Sequence, residues 1–277
     1  MKGSGISEEE IKNTWYTYLT TGNMPPSVHA HLFERRIFRP FVRRLPRSPR
    51  CNICYFPFYG IGGFISKYLL GVKASSLNPH LCNLCERFAT KYHGGAELEA
   101  AVMFVDIRNS TTMAENMSPE EFSKQINRFY KAVTEIYYKN NGLVQKFQGD
   151  EVGGFFVSGI AGKGFTSQAI KAARHVLKVL GYGSQTGPWI DAGIGIHTGI
   201  AYIGSVTGNS GIPDISILGD TVNTAARLTS NAASGEIIIS EETRDRAGIA
   251  TGSLEFRKLS LKGKSEETEA WALKAWP

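Results

Sequence analysis

The stretch LVQKFQGDEVGGFF, residues 143–156, reads as two short strands joined by a tight turn at Gly149-Asp150-Glu151. Val144, Phe147, Val152, Phe155, Phe156 and the following Val157 supply β-branched and aromatic residues on both sides of that turn. Gly149 suits the positive φ that such turns often need. The tip therefore carries a carboxylate, Asp150, and Lys146 lies four residues before it on the incoming strand. A Gly-Asp turn by itself is ordinarily only a turn. A second acidic strand end upstream changes its weight: AVMFVD, residues 101–106, ends in Asp106 and runs into Ile-Arg-Asn-Ser-Thr-Thr. Two carboxylates at the ends of buried strands, near a Ser/Thr-rich helix start, suit a Mg²⁺ or Mn²⁺ site for a nucleotide. Hard cations take oxygen ligands and share them with substrate phosphates.

The 277 residues are 42% hydrophobic, enough for one large or two modest domains with a sizeable core. A charged content of 20% and plentiful Phe and Tyr argue against disorder. No run of 18 apolar, uncharged residues occurs, so no transmembrane helix is expected. The N-terminus lacks the basic-then-apolar pattern of a signal peptide, which points to the cytoplasm. Charge is uneven: residues 1–95 hold 13 Lys and Arg against 5 Asp and Glu, and residues 96–277 hold 18 against 20. The net +6 is thus +8 from the first part and −2 from the rest, placing a domain change near residue 95.

Residues 7–20, SEEEIKNTWYTYLT, predict a helix capped by Ser7, with three glutamates at the positive end of its dipole. Ile11, Trp15, Tyr18 and Leu19 share one face, as in a helix docked over apolar surface. Seven arginines follow between Arg35 and Arg50, interleaved with Phe38, Phe41, Val42 and Leu45. This stretch fits a solvated linker face, or else contact with nucleic acid, an anionic membrane or an acidic protein partner; no nucleic-acid-binding motif accompanies it.

All four cysteines come next, as Cys51-x2-Cys54 and Cys82-x2-Cys85. In a cytosolic protein that spacing points to four thiolates on one metal, most simply a structural zinc, with a redox dithiol pair or an iron–sulfur centre as the other readings. The first pair sits in a loop before apolar, strand-like residues, and the second opens a helix at 86–92. That order resembles a treble-clef zinc module. His80 and His93 flank the second pair as surface or outer residues, and His93-Gly94-Gly95 begins a linker.

The second domain reads as strand 101–106, helix 118–139, hairpin 142–157, helix 166–181 and strand 190–197, the βαββαβ order of a ferredoxin-like fold. Phe122, Ile126, Phe129, Tyr130, Val133 and Tyr137 give the first helix its apolar face. Ala192-Gly-Ile-Gly-Ile-His197 alternates small residues with isoleucine, as a strand beneath a closely packed element would, and His197 reads as a core or interface histidine. A further strand delivers Gly219-Asp220 into a helix carrying Asn223 and Arg227 four residues apart, hence on one face. A polar face beside small alanines suits phosphate oxygens, which Arg binds bidentately, or else plain solvent. Lys262 and Lys264 sit in LKGK at a turn between strands, a phosphate clamp or an ordinary surface turn.

Five segments together resemble the catalytic domain of class III nucleotidyl cyclases: FVDIRNSTTMAE (104–115), KFQGDEVGGFF (146–156), GIGIHTG (193–199), ILGDTVNTAARL (217–228) and LKGK (261–264). The resemblance covers residues 98–275, in the family's order. It implies an α+β, ferredoxin-like cyclase domain at 96–277, behind an N-terminal helix and Arg-rich segment at 1–50 and a four-cysteine module at 51–95.

The resemblance further implies that Asp106 and Asp150, with the carbonyl of Ile107, hold two Mg²⁺ or Mn²⁺ ions. Lys146 and Ser216 would read the purine, Asn223 would orient the ribose, and Arg227 would stabilise charge at the α-phosphate. Lys262 or Lys264 would clamp the terminal phosphates. Lys146 can donate to adenine N1 and Ser216 can accept from N6, so ATP is the expected substrate and cyclic AMP the product. The alternatives are a guanylate cyclase or a catalytically silent nucleotide sensor or zinc-dependent scaffold. Ser216 departs from the Thr of its subset, and Asn109 stands where glycine is usual. The family builds its sites across protomers, so a head-to-tail homodimer is expected, with one structural zinc per chain.

Overall fold

In the computed structural model, residues 6–23, 50–51, 53–76, 78, 80–207, 213–260 and 267–274 are described. The chain forms two compact units: Met1–Leu98 with Tyr202–Ile217, and Glu99–Ala201 with Leu218–Pro277.

In the first unit, helix α1 (Glu8–Thr21) starts at Ser7, whose hydroxyl accepts from the Glu10 N–H, and stops at Gly22 in the left-handed region. Its buried face is held by specific bonds. The Trp15 indole N–H donates to the Tyr92 carbonyl at 2.7 Å, and the Tyr18 hydroxyl donates to the Ile53 carbonyl at 3.2 Å. Trp15, Tyr18 and Tyr92 all pack against Phe88, a residue of α3 (Asn83–Lys91). The expected docking helix is thus anchored on the cysteine-bearing segment.

Two expectations change here. The apolar run after the first cysteine pair forms a helix, α2 (Gly60–Tyr68), instead of extended chain. Gly94-Gly95 is no linker, because β1 (Gly95–Ile107) already begins there. The Ser205 N–H donates to the Gly94 carbonyl at 2.7 Å, and a Cβ on Gly95 would lie 2.4 Å from the Ile203 carbonyl. These glycines let two backbones meet; they do not supply flexibility.

In the second unit, α4 (Ser110–Glu115) and α5 (Pro119–Lys139) follow β1. α5 opens with a capping box between Ser118 and Glu121. Strands β2 (Leu143–Gln148) and β3 (Glu151–Phe156) form the expected hairpin. Short α6 (Ser158–Ala161), α7 (Phe165–Leu180) and the long β4 (Ala192–Thr207) complete the βαββαβ core. Then come β5 (Pro213–Leu218), α8 (Asp220–Asn231), β6 (Glu236–Ser240), α9 (Glu241–Ala247), β7 (Glu255–Leu259) and β8 (Thr268–Lys274).

The sheet order is β2-β3-β1-β4-β6-β8-β7, with β5 paired to β4. Its first four strands have the ferredoxin-like arrangement that the sequence implied. The main core joins Val105, Ile194 and Ile196 from the sheet to Phe129, Val133 and Tyr137 of α5 and Ala173, Val176 and Leu177 of α7.

The other sides of Gly193 and Gly195, one residue off in the strand alternation, face α8. A Cβ on Gly195 would lie 2.2 Å from the Thr229 nitrogen and 2.6 Å from the Ala225 carbonyl. The helix backbone therefore rests on the bare strand, as the Gly-Ile alternation suggested. Gly195→Val is expected to cost about 1–3 kcal/mol through overpacking. A lower midpoint in chemical denaturation checks it.

Candidate active site

β1 carries the carboxylate of Asp106 one residue before its end, and the hairpin turn between β2 and β3 presents that of Asp150. The strands are in register, with Asp106 opposite Glu151, and the Ile107 N–H donates to the Asp150 carbonyl at 3.1 Å. This bond ties the two acidic ends together. Arg108 pairs with Asp106, and the Ser110 hydroxyl donates to an Asp150 carboxylate oxygen. Burial holds the Asp106 carboxyl above the usual carboxylate range; Arg108 opposes that shift and Asp150 adds to it. The Tyr130 hydroxyl donates to the Gly149 carbonyl at the turn, and its ring packs 4.8 Å from that of Phe147.

Arg108 also reaches the end of α8. Its guanidinium donates to the Ala232 carbonyl at 3.3 Å, while its own N–H donates to the Asp191 carbonyl at 2.9 Å. A cation at a helix C-terminus is electrostatically favourable. Here it fixes the helix that bears Asn223 and Arg227 to the strand that bears Asp106. Near the start of α8, the Thr221 hydroxyl donates to the Ile200 carbonyl at 2.5 Å. With Thr221, Thr224, Ala225, Leu228 and Thr229 turned inward, Asn223 stays exposed and Arg227 half-buried. In the sequence Arg108 and Ser110 carry no assigned role, and Tyr130 reads only as part of an apolar helix face. Their partners come from hairpin and helix ends far away in the chain, so only the contact of Ser110 with an acidic turn had any local hint.

The remaining expected residues are placed individually. Lys146 lies on β2 just after a register shift between Val144 and Lys146, a bulge of the sort often found beside active sites. Ser216 is half-buried on β5, which belongs to the first unit. Lys262, Lys264 and the arginines from Arg35 to Arg47 lie outside the described residues. His197 is buried, with Nδ1 2.8 Å from the Ser240 hydroxyl, as a core histidine should be.

The first unit holds a second constellation. The sulfurs of Cys51, Cys54, Cys82 and Cys85 lie within 4.8 Å of one another, and all four residues are buried. Cys54 and Cys82 sulfurs are 3.5 Å apart, far beyond a disulfide bond. The Cys82 N–H donates to the Cys51 sulfur at 3.2 Å and the Cys85 N–H to the Cys82 sulfur at 3.4 Å. Burial pushes the Cys51 and Cys85 thiols well up. His80 and His93 are exposed and outside this cluster.

The family model described as the adenylate and guanylate cyclase catalytic domain matches residues 96–275. The chain belongs to that family. The adenylate cyclase of Anabaena cylindrica is 30% identical over 188 residues, which are 63% of this chain and 36% of that protein. Adenylate cyclase 1 of Rhizobium meliloti is 30% identical over 153 residues, 50% of this chain and 23% of that one. The chain thus spans about a quarter to a third of the curated cyclases it matches.

Among solved structures, the guanylyl cyclase Cya2 superposes with a TM-score of 0.55 at 26% identity, over 65% of this chain and 93% of that one. The adenylyl cyclase CyaB from P. aeruginosa gives 0.54 at 26%, over 64% and 94%. The fold and the nucleotide cyclase class are common to both; the base is not.

Asn109 caps α4 at φ 56°, in the left-handed region. Asn tolerates this conformation better than other side-chain-bearing residues. Asn109→Gly is expected to leave the unfolding midpoint unchanged or higher, and Asn109→Val to cost about 1–2 kcal/mol. Paired denaturation curves check both.

Proposed function

We propose that the chain is an adenylate cyclase, converting ATP to 3′,5′-cyclic AMP and pyrophosphate. The observation that carries this reading is the joining of Asp106 and Asp150 at neighbouring strand ends, tied by the Ile107–Asp150 backbone bond. Both carboxylates and the Ile107 carbonyl offer hard oxygen donors, and burial beside a second negative charge favours a cation there. These residues would hold two Mg²⁺ or Mn²⁺ ions. When bound, such ions ease loss of the ribose 3′-hydroxyl proton and neutralise the triphosphate.

The chain's own residues would do the rest. Asn223 orients the ribose, so that the 3′-oxygen lies in line with the α-phosphate. Arg227 donates to the oxygens on which charge grows as the new bond forms and pyrophosphate leaves. Lys146 donates to adenine N1, Ser216 accepts from N6, and Lys262 or Lys264 holds the terminal phosphates. Ser216 also donates, and Cya2 is a guanylyl cyclase of similar fold, so GTP is the alternative substrate. Mass identification of products from ATP and from GTP tests the choice: cyclic AMP in excess is expected, and cyclic GMP in excess would overturn the base assignment.

We further propose a head-to-tail homodimer in which the acidic groups of one protomer face Asn223 and Arg227 of the other. Asp106→Ala and Arg227→Ala proteins should each lose about 10²–10³-fold in kcat. Mixed together, they should regain activity through one intact site per heterodimer. Failure to regain it in a confirmed heterodimer would count against shared sites.

Of the division into 1–50, 51–95 and 96–277, the start of the family match at residue 96 supports the second boundary alone. In the 51–95 segment, four buried sulfurs at close quarters suit one structural zinc. Zinc–sulfur bonds of about 2.3 Å make a tetrahedron with edges of roughly 3.8 Å. One zinc per chain is expected by elemental analysis, with loss of metal and a lower unfolding midpoint in Cys85→Ser.

A further inference from the structure

Helix α2 is amphipathic in the reverse of the usual sense. The residues it buries are Gly62, Gly63 and Ser66. Its large apolar residues point outward instead: Tyr59, Ile61, Phe64, Tyr68 and Leu69, at its start, along it and just past its end, are 63 to 79% exposed. The inversion is fixed by packing. A Cβ on Gly63 would lie 2.4 Å from the Phe58 carbonyl carbon, so only glycine allows the helix to press down on this side. The Phe64 and Tyr68 rings pack against each other, tilted, with centroids 4.7 Å apart, and the Lys67 ammonium stands 5.0 Å from the Tyr68 ring. Five large apolar side chains within eleven residues are exposed together here, which water alone does not favour.

The sequence on either side of α2 carries charge of one sign. Lys67, within α2, and Lys73, a few residues past its end, are both exposed. From residue 35 to residue 85 the sequence holds seven arginines and two lysines and no Asp or Glu. A second copy of the chain would bring the same positive charge to the contact. An anionic lipid surface brings the opposite charge and an apolar interior. We propose that α2 and its flanks dock the chain on an anionic phospholipid surface. Phe64, Ile61 and Leu69 enter the boundary of the acyl region, Tyr59 and Tyr68 sit at headgroup level, and the cations meet the phosphates. The helix lies in the plane of the interface. At nine residues it is far too short to cross a bilayer.

The full chain, sedimented with vesicles of phosphatidylcholine alone or with about one-third phosphatidylglycerol, tests this. Binding to the anionic vesicles is expected, falling by about tenfold or more on neutral vesicles or when salt is raised. The double variant Phe64→Ser/Tyr68→Ser should bind about tenfold less while keeping its circular dichroism spectrum. Ile61→Ser gives the same readout should the double variant fold poorly. Absence of binding by the unmodified chain would overturn the proposal. So would binding that both variants leave unchanged, which would assign it to the arginine segment alone. A change of mass in light scattering on substitution, without vesicle binding, would reassign the surface to contact between copies.

Discussion

The seating of α8 on the glycine side of β4 governs the geometry of the catalytic domain. With no Cβ at Gly193 or Gly195, the backbone of the helix lies against the strand itself. Such a contact has little room for adjustment, because backbone atoms cannot change rotamer. Thr221 ties the first turn to Ile200, and Arg108 holds the carbonyl of Ala232 just past the last turn. A helix fixed along one side and near both ends presents Asn223 and Arg227 at set positions. The opposite side of the strand, through Ile194 and Ile196, is locked into the core with α5 and α7.

The chain carries two sets of buried or half-buried donors with opposed chemistry. At Asp106 and Asp150 the atoms are hard oxygens, and the structure already brings positive or hydrogen-bonding partners to them in Arg108 and Ser110. At the four cysteines the atoms are soft sulfurs, supported by backbone N–H groups and closed off from water. Hard divalent cations prefer the first set and thiophilic ones the second. The partly exposed oxygen set leaves room for a substrate to share ligands. The enclosed sulfur set does not, which suits a structural part.

Much of this was legible in the sequence because the signals were local. The turn glycine at 149, the cap at Ser7, the apolar face of α5 and the Gly-Ile alternation at 192–197 each named their own conformation. The failures had a common cause. Gly94-Gly95 read as a linker because a glycine pair looks the same whether it gives freedom or permits a close approach. The run after Cys54 read as strand-like because its large apolar residues suggested a buried element, whereas α2 turns its small residues inward. The tie of Arg108 to α8 had no local sign, since its partners there and at Asp191 lie over 80 residues away; only Asp106 is close in sequence. Ser110 and Tyr130 act through a turn that the sequence located but could not aim.

The order of strands has a consequence for how the chain assembles on the ribosome. β1 lies between β3 and β4 in the sheet. β3 follows soon and, with β2, forms a hairpin that covers one edge of β1 early. The other edge waits for β4, which begins at Ala192, 85 residues beyond Ile107. At about 5–20 residues per second, synthesis takes roughly 4–17 s to supply it. Through that interval Ala101, Val102, Met103 and Val105, all fully buried in the finished fold, belong to a strand with at least one side unpaired. The nascent cyclase domain is therefore open to strand addition from another chain, and dependent on chaperone cover, until its central strand arrives.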